Sequence, residues 1–170
     1  NDVMWVFGYG SLMWDGWQQK FGCLRTSTAD LIGYTRKLNK ASVERWGTKQ
    51  NPGPTLNLSA SEGGICRGVA FEFGADQEAA VTEYLRIREG GFALTTVRPR
   101  LSDGTTISAI TPIYQGKNLI VSISNEALVE MIVAAHGTAG AASDYVRNLA
   151  QSLRKLDVSD KEIETIVKQL

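Results

Sequence analysis

The order in which hydrophobic periods succeed one another constrains this chain most: strand-like runs come first, one helical stretch interrupts them, and capped helical segments close the chain. Residues 4–7 form a short apolar run ending in glycine, the pattern of an interior strand. Residues 31–38 mix apolar with basic side chains as a half-exposed strand does, residues 56–59 make a short strand, and residues 65–73 alternate at Val69, Phe71 and Phe73. Over residues 75–89 the period changes: Val81, Tyr84, Leu85 and Arg88 share one helical face, with Asp76 placed to cap the start and Gly90-Gly91 to stop it. Strand character resumes over residues 92–101 and 105–114, and Ser102-Asp103-Gly104 between them predicts a hairpin. Helices are expected over residues 126–136 behind a Ser124/Asn125 cap, 144–156 behind Ser143, and 161–170 behind Ser159, with Glu162 completing a capping box. This order predicts an α+β fold whose mixed sheet closes into a small barrel with flanking helices.

One domain over residues 1–170 is expected, because the chain is long enough for a core and no low-complexity linker divides it. Lysine plus arginine equals aspartate plus glutamate at 18 each, so no basic surplus exists to neutralise phosphates and nucleic acid is not an expected partner. No apolar run reaches the roughly 18–20 residues that cross a bilayer, which leads us to expect a cytoplasmic protein without a membrane partner. Cys23 and Cys66 lack C-x-x-C spacing and His136 is the one histidine, so neither a disulfide scaffold nor a metal site is indicated.

Two features carry chemistry. Val6-Phe7-Gly8-Tyr9-Gly10-Ser11-Leu12 reads as a buried strand breaking into a glycine elbow, where missing Cβ atoms let main-chain N–H groups approach an anionic or polarised ligand. The connection after it, residues 11–30, is long and carries Trp14, Trp17 and Phe21, so it is expected to fold back over the molecule. Far downstream, Glu89 ends its helix, where the helix dipole and the apolar neighbour Leu85 both favour the neutral acid and raise its pKa. A carboxyl of that kind suits proton transfer near neutrality. Periodicity leaves open whether Arg88 or Glu89 turns inward, and an exposed glutamate before a Gly-Gly stop is the bland alternative. The elbow is not a phosphate loop, since no Gly-Lys-Ser/Thr follows it. A nucleophilic Ser11 served by His136 and Asp144 is a further alternative, without the G-x-S-x-G context such a serine normally has.

The segment from Trp5 to Trp14, with its Tyr9-Gly10-Ser11-Leu12 core, resembles the opening of the ChaC-type γ-glutamylcyclotransferases. Further blocks follow that family in order: Gly33 to Leu38; Ser42, Gly47-Thr48 and Pro52-Gly53; Gly64 to Cys66 with Gly68-Val69-Ala70; Tyr84 to Phe92 with Thr95-Thr96-Val97; and Ala135 to Gly140 with Ser143-Asp144-Tyr145. Nearly the whole chain is covered. Departures occur at Trp46, where relatives carry arginine, and over residues 137–142, where relatives often carry a serine and an asparagine.

The resemblance implies that Glu89 is the catalytic carboxyl, that Tyr9, Gly10, Ser11 and Leu12 bind substrate, and that Tyr145 adds a hydroxyl contact. It implies cleavage of glutathione to 5-oxoproline and cysteinylglycine, by attack of the substrate's own α-amine on its γ-carbonyl, with no cofactor and no metal. A small-molecule substrate is then the expected partner; the resemblance leaves oligomeric state undefined. The altered positions leave room for other γ-glutamyl peptides or amines. A module that binds γ-glutamyl compounds without turning them over stands beside these readings, as does the serine hydrolase.

Overall fold

The computed structural model describes residues 2–170. In chain order it contains β1 (Val3–Gly8), β2 (Arg25–Ser42), β3 (Gly53–Gly74), α1 (Glu78–Arg88), β4 (Ala93–Val97), β5 (Arg100–Leu101), β6 (Ala109–Ile113), α2 (Asn125–Ala134), β7 (His136–Gly137), β8 (Gly140–Ala141), α3 (Ala142–Lys155) and α4 (Lys161–Val167). The fold is α+β. Two compact units form, Asn1–Thr35 with Leu58–Tyr114, and Arg36–Asn57 with Gln115–Leu170. The long strands β2 and β3 contribute residues to each.

The first unit is built on the sheet, in the order β4-β6-β1-β3-β2-β5. β1 runs antiparallel to β3, from Val3↔Gly74 to Gly8↔Val69, and parallel to β6 at Val6↔Ile110, so the sheet is mixed as its sequence predicts. The barrel expectation is corrected: β4 and β5 are the two ends of the strand order, and no ladder among the described residues joins them. The reason lies between them. The chain leaves β4 at Val97, passes Pro99, which has no N–H to give a ladder, and lays Arg100–Leu101 on β2 at Ala29↔Leu101. The expected hairpin is divided in the same way. Its turn forms, with Gly104 at φ +91° and its N–H donating to the Leu101 carbonyl at 2.9 Å, but the long pairing is β4 with β6, from Ala93↔Ile113 to Val97↔Ala109.

One face of this sheet carries a hydrophobic cluster. Met4 and Val6 of β1 sit opposite Phe73 and Phe71 of β3, and Val81 and Leu85, four residues apart on α1, pack on them with Leu12 and Trp17. Each such side chain contributes about 1.5–3 kcal/mol by leaving water. The expected long loop is shorter than predicted, because two 3-10 turns, Ser11–Met13 and Trp17–Phe21, fill it and β2 already begins at Arg25. Trp17 is buried and Trp14 exposed, so one of the two tryptophans is what folds the connection back.

The second unit packs its helices on their apolar stripes, with Val146, Leu149, Ala150 and Leu153 of α3 all buried. Ser124 caps α2 as predicted, its hydroxyl accepting from Ala127 N–H at 3.1 Å. His136 falls outside the helix expected to include it and pairs with Ala141 in the β7–β8 hairpin. α4 is capped by Asp160 and not by Ser159: one carboxylate oxygen accepts from Ile163 N–H at 3.1 Å, the other from the buried Arg36 guanidinium at 3.2 Å. A serine hydroxyl could serve the helix but not the cation. No helix among the described residues is long and apolar enough to cross a membrane.

Candidate active site

The elbow and Glu89 both belong to the first unit. β1 ends at Gly8, where an added Cβ would stand 3.0 Å from the Leu12 Cβ, so the absence of a side chain is what lets the chain fold back on itself. The turn closes with Met13 N–H donating to the Gly10 carbonyl at 2.9 Å and Trp14 N–H to the Ser11 carbonyl at 3.1 Å. The N–H groups that open such a turn have no acceptor within it, so Ser11 and Leu12 present main-chain donors at the strand end. Tyr9 is buried, and its hydroxyl donates to the Pro112 carbonyl at 2.6 Å, pinning the elbow to β6. Its hydroxyl is thereby engaged within the fold.

Glu89 is the C-terminal cap of α1, its N–H donating to the Leu85 carbonyl at 2.8 Å, and the chain turns away through Gly91 at φ +88°. Its side chain and that of Arg88 are covered to a similar degree, 21% and 19% exposed, so the question that helical periodicity left open has the answer that both turn inward. The Arg88 guanidinium collects the site. Nε donates to Glu89 Oε2 at 3.1 Å, Nη1 to the Tyr84 hydroxyl at 3.0 Å and Nη2 to Ser11 Oγ at 3.0 Å, while Asp15 pairs with Nη2.

Burial pushes the Glu89 carboxyl above its ordinary value; the charge and hydrogen bond of Arg88 pull against this and the Asp15 carboxylate adds to it, leaving a raised pKa. The direction matches the sequence expectation, with burial as the leading cause. Burial works against the charge on Arg88, but its bonds to Asp15 and Tyr84 outweigh that and hold the guanidinium fully protonated. A carboxyl that resists ionisation, linked through Arg88 to an elbow with main-chain donors, can carry a proton while those donors face a developing negative charge.

Among the described residues, no three His, Cys, Asp or Glu side chains are grouped to hold a metal ion. Sequence reasoning does not select Asp15 or Tyr84; the one available signal is that Tyr84 lies a helical turn before Arg88. Of the residues in the alternative hydrolase reading, Ser11 takes its hydrogen bond from Arg88, His136 lies in β7, and Asp144 pairs with Arg147 at 3.7 Å.

Tyr145, the remaining site residue, belongs to the second unit, where its hydroxyl accepts from Leu56 N–H at 2.9 Å. Its ring packs on Trp46 with centroids 5.2 Å apart. The segment that departs from the family is held there by main chain: Thr138 N–H donates to the Glu44 carbonyl at 2.9 Å and Ala139 N–H to the Arg45 carbonyl at 2.7 Å. Gly137 permits this, since a Cβ would come within 2.4 Å of the Arg45 carbonyl group.

Fold and site together define an α+β protein in which a carboxyl drawn out of water is tied to a glycine-bent strand end. A model of the ChaC-like proteins matches residues 4–170. The chain is 30% identical over 169 residues to the glutathione-specific γ-glutamylcyclotransferase of Escherichia coli, covering 96% of this chain and 71% of that one. It is 27% identical over 179 residues to γ-glutamylcyclotransferase 2-3 of Arabidopsis thaliana, covering 99% and 88%. In fold it is similar to a γ-glutamyl cyclotransferase specific to glutathione from yeast, with a TM-score of 0.80 at 18% identity, covering 99% of this chain and 95% of that one. The chain belongs to the ChaC-like family.

Proposed function

We propose that this protein is a γ-glutamylcyclotransferase that degrades glutathione to 5-oxoproline and cysteinylglycine, with residues 1–170 acting as one domain. The family match through residues 4–170 supports the reaction class, and the curated relatives named for glutathione support the substrate. The observation that carries the mechanism is the bond chain from Ser11 of the elbow through Arg88 to the raised carboxyl of Glu89.

In this reading the substrate's α-amine attacks its own γ-carbonyl carbon. The new C–N bond closes a five-membered ring as the γ-amide C–N bond breaks, and no water enters. Folding the flexible glutamyl chain into a ring-closing pose contributes much of the acceleration, because an oriented intramolecular attack avoids the entropy of bringing partners together. Glu89 takes the proton that the amine loses and returns it to the departing nitrogen, which leaves as the amine of cysteinylglycine. Main-chain N–H groups of Tyr9, Gly10, Ser11 and Leu12 receive the oxyanion and the substrate's α-carboxylate. The steps require no cofactor.

The test is incubation of the protein with glutathione, γ-Glu-Ala and a γ-glutamyl amine, with 5-oxoproline measured by mass spectrometry. Release from glutathione alone is expected. Release from none of the three overturns the proposal, and release from another substrate but not glutathione overturns its specificity.

A further inference from the structure

The bonds around Glu89 assign work to two residues that the mechanism above leaves unused. We infer that Arg88 and Asp15 are positioning residues of the cyclotransferase reaction: the guanidinium ties Glu89 to the elbow at Ser11, and Asp15 holds that guanidinium and balances its charge. The inference rests on the reading of the site as a cyclotransferase centre.

Geometry carries it. Arg88 spreads its three nitrogens over two parts of the unit: Nε to Glu89 and Nη1 to Tyr84 on its own helix, and Nη2 to Ser11 and Asp15 in the connection after β1. Only a planar fork can do this; an ammonium presents all its donors from one atom. The far side of the fork is anchored as well. The Tyr84 ring stacks on Trp17 with centroids 5.7 Å apart and planes 7° from parallel, and the Trp17 indole N–H donates to the Leu12 carbonyl at 2.9 Å. Contacts therefore run in a closed circuit, from Leu12 through Trp17, Tyr84 and Arg88 back to Ser11. A shift of α1 against the elbow would have to break it, so the distance between carboxyl and main-chain donors is held from two sides.

The charges explain why Asp15 is needed. A lone guanidinium bonded to Glu89 favours the carboxylate and weakens it as a base. Asp15, on the same guanidinium, pushes the other way. Among the described residues, the charged groups acting on Glu89 are these two, with the Tyr84 hydroxyl on Arg88 and Lys20 over the Tyr84 ring at 5.6 Å. The two neighbours therefore have opposite signs of effect, which a merely structural ion pair would not reveal on substitution.

The experiment compares wild type with Asp15→Asn, Arg88→Met and Arg88→Lys. The Glu89 carboxyl is titrated by carbon-13 NMR without substrate, its resonance identified by loss in Glu89→Gln, and the acid limb of kcat/KM for 5-oxoproline release from glutathione is followed in parallel. Asp15→Asn is expected to move titration and limb to lower pH, and Arg88→Met to higher pH. Arg88→Lys keeps the charge and loses the fork, so its limb stays near wild type while kcat falls by about 10–100-fold, the scale of a small misplacement. Shifts in one common direction, an unmoved titration in Asp15→Asn, or wild-type kcat in Arg88→Lys overturns the inference. If Arg88→Met does not fold, the exposed Asp15 decides, since loss of packing does not predict a downward shift. A wild-type protein that releases no 5-oxoproline overturns the functional reading instead, and with it the role these residues are given.

Discussion

Replacing Glu89 by glutamine isolates the proton-transfer step from everything around it. The amide keeps an oxygen that can accept from Arg88 Nε, now at 3.1 Å, so the circuit through Ser11, Tyr84 and Asp15 survives. What it loses is the ability to take a proton from the amine and give one to the leaving nitrogen. General acid–base catalysis contributes about 10²–10⁴-fold, so kcat should fall by that factor, or about 3–5 kcal/mol of barrier, with KM little changed. Stability should respond in the opposite sense. Because the Glu89 pKa is raised by burial, the folded state binds this proton more tightly than the unfolded chain does. Its ionisation therefore costs stability as pH rises from the ordinary glutamate value through the raised one, and above that window the cost is complete. Glutamine removes the cost, so Tm at neutral pH should equal or exceed that of wild type. Single-turnover measurement of 5-oxoproline together with thermal melts reads both. A variant that turns over within about tenfold of wild type, or one that loses activity because it melts, would refute the reasoning.

Three other outcomes are expected. Asp160→Ala removes the α4 cap and a counterion of Arg36, which is 2% exposed, so urea unfolding should show a loss of about 2–5 kcal/mol, where a surface pair would cost about 0–1. Gly68→Ala forces a Cβ to 2.3 Å from the Gly8 carbonyl oxygen and 2.7 Å from the Phe7 ring. It should lower stability by about 1–3 kcal/mol and reduce 5-oxoproline release, because the strain falls on the base of the elbow. Activity should be unchanged by EDTA; loss that a divalent ion restores would contradict a proton-transfer mechanism carried by Glu89 alone.

Much of the scaffold was legible as pattern. Period-two alternation over Val69, Phe71 and Phe73 marks a strand because side chains on a pleated strand must alternate, and the Ser124 cap and the Gly104 turn follow from local backbone chemistry. Local rules misjudged the places where a partner distant in sequence decides. Asp160 displaces Ser159 as the α4 cap because it also meets Arg36, and His136 leaves its helix for a hairpin. Strand order was equally hidden: β5 goes to β2, an edge no periodicity names, and the barrel is left open.

The site divides along the same line. By itself the sequence determined the glycine bend after β1 and the carboxyl at the helix end, since both depend on backbone freedom and on the position of a residue within its own element. Only the tertiary structure decided that Arg88 and Glu89 both turn inward, and that Asp15 and Tyr84 share the guanidinium with Ser11. The proton affinity of Glu89 is set by burial and by charges brought together from separate stretches of chain, and neither is written in any local run of residues.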